Sequence, residues 1–384
     1  MDKIEEALTR GVQQILPDKK GLYDLMSKRK IKLYQGFDPS MPSLHLGNFV
    51  GLMKLRQFQK LGHEVIFLVG DFTGMIGDPT DKLAARKQLT RKEVTKNAEG
   101  WKKQAEKILD FNGPNAAKIE FNSKWLDNLT ARELIEISSH LTHQQMIERD
   151  MYQERIKKNE VIYFHELLYP IFQGYDSVTM DVDLEVGGND QLFNMMVGRT
   201  LMKAIKNKEK FVLTTKLLVD AQGNKVGKTT GNALFLDSTP ENFYAGIMSF
   251  PDEVIALGFE LLTELPLEEI EEKVKKDPMK EKKRLAFEVV KLLWGEEQAI
   301  PSQENFEHTF QEKAPTFDIK IKAEETLAKT IVPFSPRESM ASVKELIRQG
   351  AVDVNGKKVT DGSIKLNVGD EIKVGERTFL KVSK

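Results

Sequence analysis

Val65-Ile66-Phe67-Leu68-Val69 is an unbroken apolar run that stops at Gly70-Asp71. A strand with one wet face alternates apolar and polar residues, so a run this short and this apolar is buried on both faces, as in a parallel sheet with helices on each side. From Lys30 to Gly36, Ile31 and Leu33 alternate with polar residues as in a neighbouring strand, and Leu52, Met53, Leu55 and Phe58 then follow at helical spacing. Strand, helix, strand in that order specifies an α/β fold on a Rossmann-like parallel sheet. Ligands in such sheets sit beyond the carboxyl ends of the strands, where Tyr34 to Gly36 and Asp71 to Asp78 fall.

The chain has 384 residues, enough for two or three cores. The pattern divides it into a nucleotide-binding domain over 1–237, a helical, charge-rich domain over 238–299, a linker over 300–330 containing Pro301 and Pro315, and a small α+β domain over 331–384. A net charge of −1 means that any nucleic-acid contact must come from a local patch. The absence of cysteine excludes disulfides and thiolate zinc sites, and the six histidines are too scattered for a metal cluster. Neither a signal-peptide core nor a span of about 20 apolar residues is present, so the expected compartment is the cytoplasm, without a membrane partner.

Two segments about 180 residues apart carry phosphate chemistry. In Ser43-Leu44-His45-Leu46-Gly47-Asn48, His45 and Asn48 fall on the first turn of a helix. Free N–H groups and the helix dipole favour phosphate there, an imidazole adds a donor, and Gly47 allows a base or ribose to approach the backbone. In Gly223-Asn224-Lys225-Val226-Gly227-Lys228-Thr229-Thr230-Gly231-Asn232, two lysines three apart sit in a stretch that holds no stable helix, as a phosphate-clamping loop requires. Alone, the first also reads as an ordinary helix start and the second as a solvated turn.

Four polar residues occupy positions where a buried strand end and a buried helix face should be apolar. Tyr34 closes the first strand, and Tyr169, Gln173 and Asp176 recur at spacings of four and three along one helix stripe, with Pro170 suited to its first turn. Such groups are costly to bury without partners. A phenolic hydroxyl would donate to Asp176 and accept from Tyr34, while Tyr169 and Gln173 could hold an α-ammonium group. A ligand lacking the hydroxyl would leave Tyr34 and Asp176 unpaired. The plainer reading makes Tyr34 a core aromatic and Asp176 a cap.

The paired segments resemble the two signature motifs of class I aminoacyl-tRNA synthetases, HIGH and KMSKS in one-letter code, here HLGN and KVGKT. Asn48 stands for the second histidine, and Gly227 and Thr229 for the two serines, while Lys225 and Lys228 are kept. Arg10-Gly11-Val12, Tyr34-Gln35-Gly36-Phe37-Asp38-Pro39-Ser40, Thr73 to Pro79, Leu167 to Ser177 and Gly187-Gly188-Asn189-Asp190-Gln191 run in the order found in tyrosyl-tRNA synthetases, over nearly the whole chain. The resemblance implies that Tyr34 and Asp176 bind the phenol of tyrosine, that Asp78, Tyr169 and Gln173 bind its ammonium, and that Gln191 meets its carboxyl end. It places Gly36, Asp38, Gly188 and Asp190 on the ribose and backbone of the adenylate. Ser40 and His45, with Lys82, Arg86, Lys225 and Lys228, would face the γ-phosphate side, and His45, Asn48, Lys225, Lys228 and Thr229 form the catalytic set. The implied partners are ATP with Mg2+, tyrosine, tRNA(Tyr) and a second copy of the chain in a homodimer; no metal-binding residues are expected. Asp81 to Lys87, which includes Lys82 and Arg86, reads equally as a solvated helix face.

RNA contacts are expected in the basic stretch Lys273 to Lys291, which contains Lys282-Lys283-Arg284 before the apolar stripe Leu285, Val289, Leu292 and Leu293. At the end of the chain, Ser339 to Gln349 reads as an amphipathic helix stopped by Gly350, and Val352 and Val354 lead into an Asn355-Gly356 hairpin turn. That order resembles the S4 RNA-binding module. Three other readings compete: a small nucleotidyltransferase, which leaves the tyrosine-like pocket unexplained; a tryptophan enzyme, whose indole suits Tyr34 and Asp176 less well; and a non-catalytic RNA-binding paralogue.

Overall fold

The computed structural model describes residues 2–79, 88–226, 234–311, 317, 319–335, 339–375 and 378–383, the side chains of 310 and 311 excepted. Contacts divide the chain into two units. The first comprises 1–227, 235–237 and 253–276, and the second comprises 228–234, 238–252 and 277–384.

The first unit is built on the strands β1 (Val12–Leu16), β2 (Lys32–Phe37), β3 (Glu64–Val69), β4 (Lys118–Phe121), β5 (Leu184–Gly188) and β6 (Phe211–Thr215), in the order β1-β6-β5-β2-β3-β4. All neighbours are parallel except β1, which runs antiparallel to β6 at the edge. As the apolar run implied, β3 is buried at every position from Val65 to Val69. From β2 the chain steps outward through β3 to β4, then returns to β5 and continues the other way. That reversal opens a crevice at the carboxyl ends of β2 and β5, the usual ligand position in such sheets.

Three helices shape the crevice: α1 (Leu46–Lys60), α2 (Phe164–Met180) and α3 (Leu192–Lys206). α2 and α3 approach closely at two glycines, since a Cβ on Gly174 would lie 3.1 Å from the Gly198 nitrogen. Pro170 is not in the first turn of its helix; α2 begins at Phe164 and carries Pro170 inside it. Proline cannot donate to the carbonyl four residues back, which is that of Glu166. The Tyr152 hydroxyl donates to this oxygen instead, at 2.9 Å.

The helical domain expected over 238–299 is divided. Residues 253–276 belong to the first unit because Arg10 binds the end of the helix Ile255–Leu262. Its guanidinium donates to the carbonyls of Phe259, Glu260, Thr263 and Leu265 at 2.7–3.0 Å. Glu260 also accepts from the Gly11 nitrogen and pairs with Lys216.

In the second unit, Pro240–Met248, Pro278–Trp294 and Glu296–Phe306 are helices. Leu285, Val289 and Leu293 are buried as the stripe predicts, and the Trp294 ring meets Phe243 edge-on at 5.3 Å. The expected linker over 300–330 is not one continuous connection. The last of these helices runs through Pro301, Ile319–Lys322 is a strand, and Leu327–Thr330 is a helical turn. That strand, β7, heads a sheet completed by β8 (Val352–Val354), β9 (Lys357–Lys358), β10 (Glu371–Val374) and β11 (Thr378–Ser383), in the order β7-β11-β10-β8-β9. Leu327 and Ile331 share a core with Val343, Ile347, Ile372 and Leu380, so the terminal module starts before residue 331. Its helix, Met340–Arg348, and the Asn355-Gly356 turn, with φ of 50° and 74°, match expectation. No described helix is long and apolar enough to cross a membrane.

Candidate active site

The helix-start motif is a capping box. His45 is the N-cap of α1; its Nδ1 accepts from the Asn48 nitrogen at 3.3 Å, and its own nitrogen donates to Asn48 Oδ1 at 2.9 Å. Because Nδ1 accepts, the neutral ring carries its proton on Nε2. The backbone nitrogen of Asn48 thus holds the imidazole, while the Asn48 side chain caps the His45 backbone nitrogen. Gly47 leaves room for that ring: a Cβ there would lie 2.9 Å from His45 Cε1.

The lysine-rich segment approaches the same region at both of its described ends. Lys225 forms an isolated bridge with Val219 and pairs with Asp190 at 2.6 Å. On the far side, Phe235 forms a bridge with His45, and the Leu236 nitrogen donates to the Leu44 carbonyl at 2.8 Å. Gly227, Lys228 and Thr229, together with Lys82 and Arg86, lie outside the described residues. Ser40 and Gly36 are exposed near the end of β2. Gly188 closes β5, where a Cβ would lie 2.6 Å from Asp190 Oδ1.

Tyr169, Gln173 and Asp176 share one stripe of α2, as their spacing requires. Tyr169 Oη donates to Asp38 Oδ2 at 2.8 Å, and Thr73 Oγ1 donates to Asp38 Oδ1 at 2.7 Å. Gly70 makes space for this carboxylate, since a Cβ there would lie 2.0 Å from it. Burial pushes Asp38 up to about 7, against the lowering effect of the two hydroxyl donors. With its proton given to Asp38, the Tyr169 oxygen remains an acceptor. Gln173 Nε2 donates to Glu185 Oε1 at 3.0 Å, which leaves its buried Oε1 without a partner. Asp78 accepts from Gln191 Nε2 at 2.6 Å, and Asn194 Nδ2 donates to Gln191 Oε1 at 3.0 Å. Gln191 and Asp78, assigned above to opposite ends of the amino-acid backbone, are thus hydrogen-bonded to each other.

At the closed end, Tyr34 is fully buried and packs with Ile66, Leu68 and Val182. Its hydroxyl lies 2.8 Å from Ser177 Oγ. Asp176 accepts from Trp125 Nε1 at 2.8 Å and from Asn122 Nδ2 at 3.2 Å. Burial pushes both Asp176 and Tyr34 well above their usual values, Trp125 and Asn122 opposing the shift for the carboxyl. Trp125, Asn122, Ser177, Glu185 and Lys210 were not singled out from the sequence. None carried a readable signal: Glu185, like Asp183, alternates with the apolar residues Val182, Leu184 and Val186, as in a strand with one wet face.

Three cations of the basic run on the helical domain have acidic partners. Lys282 is buried and pairs with Asp252 at 2.6 Å, Lys283 pairs with Glu307 at 2.7 Å, and Arg284 pairs with Glu281 at 3.1 Å. These cations bind within their own unit.

Residues 26–311 match the family described as tRNA synthetases class I (W and Y), and residues 336–372 match the S4 domain. A tyrosine--tRNA ligase of Desulfotalea psychrophila is 41% identical over 366 residues, covering 92% of this chain and 90% of the relative. One from Aquifex aeolicus is 38% identical, covering 98% and 97%. The chain belongs to the tyrosyl-tRNA synthetase family. The fold agrees with a solved synthetase of that family, the C-terminally truncated mitochondrial enzyme of Aspergillus nidulans, with a TM-score of 0.69 at 24% identity over 80% of this chain and 94% of that one. Among the described residues of this family member, no group of three or more His, Asp or Glu side chains is placed to hold a metal ion.

Proposed function

We propose that this chain activates tyrosine with ATP, releasing pyrophosphate, and passes the tyrosyl group to the 3′-terminal ribose of tRNA(Tyr). Gln173 carries the reading: a buried amide oxygen without a partner, on the same helix stripe as Tyr169 and Asp176, is an acceptor waiting for an ammonium donor. Tyr169 and Asp78 add acceptors for that ammonium, Gln191 reaches the carboxyl end, and Tyr34 and Asp176 take the phenol.

The tyrosine carboxylate attacks the α-phosphate in line, and no residue forms a covalent bond. Catalysis rests on alignment and on cations that meet charge moving onto pyrophosphate. Gly36, Asp38, Gly188 and Asp190 line the ribose and adenylate backbone, while Ser40, His45 and Asn48 face the phosphates. Lys225, which pairs with Asp190, serves the phosphates with Lys228 and Thr229; Lys82 and Arg86 join them. Magnesium enters with ATP as the counterion of its phosphates.

The S4 module is the tRNA-facing part of the chain, since the basic run at 282–284 is paired internally. A homodimer through the first unit accounts for Ile135, Val161, Tyr163 and Phe164, large apolar residues left mostly exposed. The cytoplasm is the compartment where such an enzyme meets tRNA. A non-catalytic paralogue is not favoured, because the capping box and the acceptor-lined crevice are both intact.

ATP–pyrophosphate exchange with tyrosine, phenylalanine and tryptophan supplied separately tests the proposal. Exchange with tyrosine alone is expected; exchange with tryptophan would overturn the roles given to Tyr34 and Asp176, and no exchange would restore the non-catalytic paralogue.

A further inference from the structure

Behind Tyr34 lies a charge pair to which no role has been given, beyond the bond that Glu185 accepts from Gln173 Nε2. Glu185 on β5 and Lys210, immediately before β6, are both buried and form an ion pair. Lys210 Nζ donates to Glu185 Oε2, to the Met195 carbonyl at 3.1 Å and to Ser177 Oγ at 2.9 Å. Three acceptors occupy all three N–H bonds of an ammonium. Burial draws the Lys210 pKa down, and the Glu185 carboxylate opposes that shift. Space for the head group depends on Gly198, where a Cβ would lie 2.6 Å from Lys210 Nζ and 3.0 Å from Ser177 Oγ.

Ser177 Oγ accepts from Lys210 and so has one proton to give. Tyr34 Oη is 2.8 Å away and Glu185 Oε2 is 3.3 Å away. The contact with Tyr34 is the shorter and allows either direction, while the glutamate oxygen already accepts from Lys210. With Ser177 as donor, Tyr34 Oη accepts and its own proton turns away from Ser177; Glu185, which also acts on this hydroxyl, is engaged by Lys210 and Gln173. The Gln173 carbonyl, at 3.5 Å, is too distant to hold the Tyr34 proton firmly.

We infer that Lys210 and Ser177 are positioning residues that fix the direction of a hydrogen-bond chain running from Lys210 through Ser177 and Tyr34 to the substrate hydroxyl and on to Asp176. The inference rests on the tyrosine site proposed above. Each hydroxyl in the chain accepts one hydrogen bond and donates the next, and polarisation accumulates from a buried cation to a buried carboxylate. The reverse direction, with Tyr34 donating to Ser177 and Ser177 to Glu185, would present no donor to the substrate oxygen. Phenylalanine leaves the Tyr34 proton and an Asp176 lone pair unmatched, so the fixed direction converts a missing hydroxyl into two unpaired buried groups.

The test compares kcat/KM for tyrosine and phenylalanine in pyrophosphate exchange. It uses the unaltered chain, Ser177→Ala, Tyr34→Phe, their combination, and the charge-free pair Glu185→Gln with Lys210→Met, which keeps similar volume if Ser177→Ala disturbs packing. Ser177→Ala is expected to lower tyrosine utilisation about three- to tenfold and to leave phenylalanine within about twofold. In the Tyr34→Phe background it should not change the ratio further, because the chain is already broken there. The charge-free pair should lower the ratio by a similar factor. Equal losses for both amino acids in Ser177→Ala and in the charge-free pair overturn the inference while leaving the tyrosine site standing, as does a full Ser177→Ala effect in the Tyr34→Phe background. Absence of tyrosine-dependent exchange in the unaltered chain overturns the site itself, and the inference with it.

Discussion

The phenol end and the phosphate end of the proposed site are built in opposite ways. At the phenol end, Tyr34, Asp176 and Ser177 are buried, and Asp176 already has two donors before any ligand arrives. At the phosphate end, Lys225 is substantially exposed, and its ion pair with Asp190 leaves two of its N–H bonds for a phosphate. A buried, prearranged site distinguishes ligands by what it leaves unpaired, whereas an exposed, cationic one responds to charge as it develops. The first should therefore govern which amino acid is used, and the second how fast it is activated.

Asp176→Asn offers the largest expected effect. Loss of the carboxyl partner should lower kcat/KM for tyrosine by about 100-fold, the scale of leaving a buried polar group unpaired. The melting temperature should move by only a few degrees. Removing a carboxylate whose burial opposes ionisation favours the fold, while a mismatched donor at Asn122 or Trp125 disfavours it. Exchange kinetics and calorimetry together check this; a collapse in melting temperature would mean that Asp176 serves the fold before it serves a ligand.

Lys225→Ala should act on rate instead. The expected loss is about 30-fold in the rate of tyrosyl-adenylate formation, with tyrosine affinity by equilibrium titration nearly unchanged. Lys228→Ala should behave alike. A large loss of tyrosine binding in either variant would erase the contrast between the two ends.

Asp38 sits between them and should make tyrosine binding depend on pH. Its carboxyl is pushed up to about 7, mainly by burial, so the ligand-free protein takes up a proton there as the pH falls below that value. An ammonium nearby favours the ionised form, so tyrosine affinity should be flat above about pH 7 and weaken below it by at most about tenfold per unit. Stability of the ligand-free fold carries the opposite sign. Between an unfolded value of about 4 and the folded value of about 7, the folded state holds a proton that the unfolded chain has lost, so this group's contribution declines as pH rises. Asp38→Asn should flatten both profiles, measured by titration calorimetry and by thermal melts across pH 5 to about 8.

Local order was legible in the sequence, and long-range pairing was not. The run Val65 to Val69 located a doubly covered strand because its burial is written in consecutive residues. The stripe of Tyr169, Gln173 and Asp176 was readable for a similar reason, as spacing along one helix. Arg10 shows the contrary case. Its guanidinium binds carbonyls some 250 positions later, and no periodicity announces that residues 253–276 will join the first unit. Lys282 to Arg284 read as an exposed patch because Asp252 and Glu307, which pair with two of them, are distant in sequence. Pro301 read as a break, although the helix Glu296–Phe306 carries it. Lys210 gave no signal at all, since a lysine before an apolar strand is ordinarily solvated.

The smallest expected effect lies in the S4 module, which belongs to neither end of the site. Lys357 and Lys358 form a short exposed strand after the Asn355-Gly356 turn, and their side chains make none of the ion pairs that hold Lys282 to Arg284 within their unit. If they face phosphates of tRNA, Lys357→Gln with Lys358→Gln should weaken tRNA affinity severalfold and reduce the slope of log affinity against log salt by about 1 to 2. Tyrosyl-adenylate formation should be unchanged, because that reaction contains no tRNA. Filter binding across a salt series and pyrophosphate exchange on the same preparation separate the two effects. An unchanged salt slope would move the RNA contact away from this hairpin, and an altered exchange rate would tie the terminal module to the chemistry that the contrast between the two ends assigns to the first unit alone.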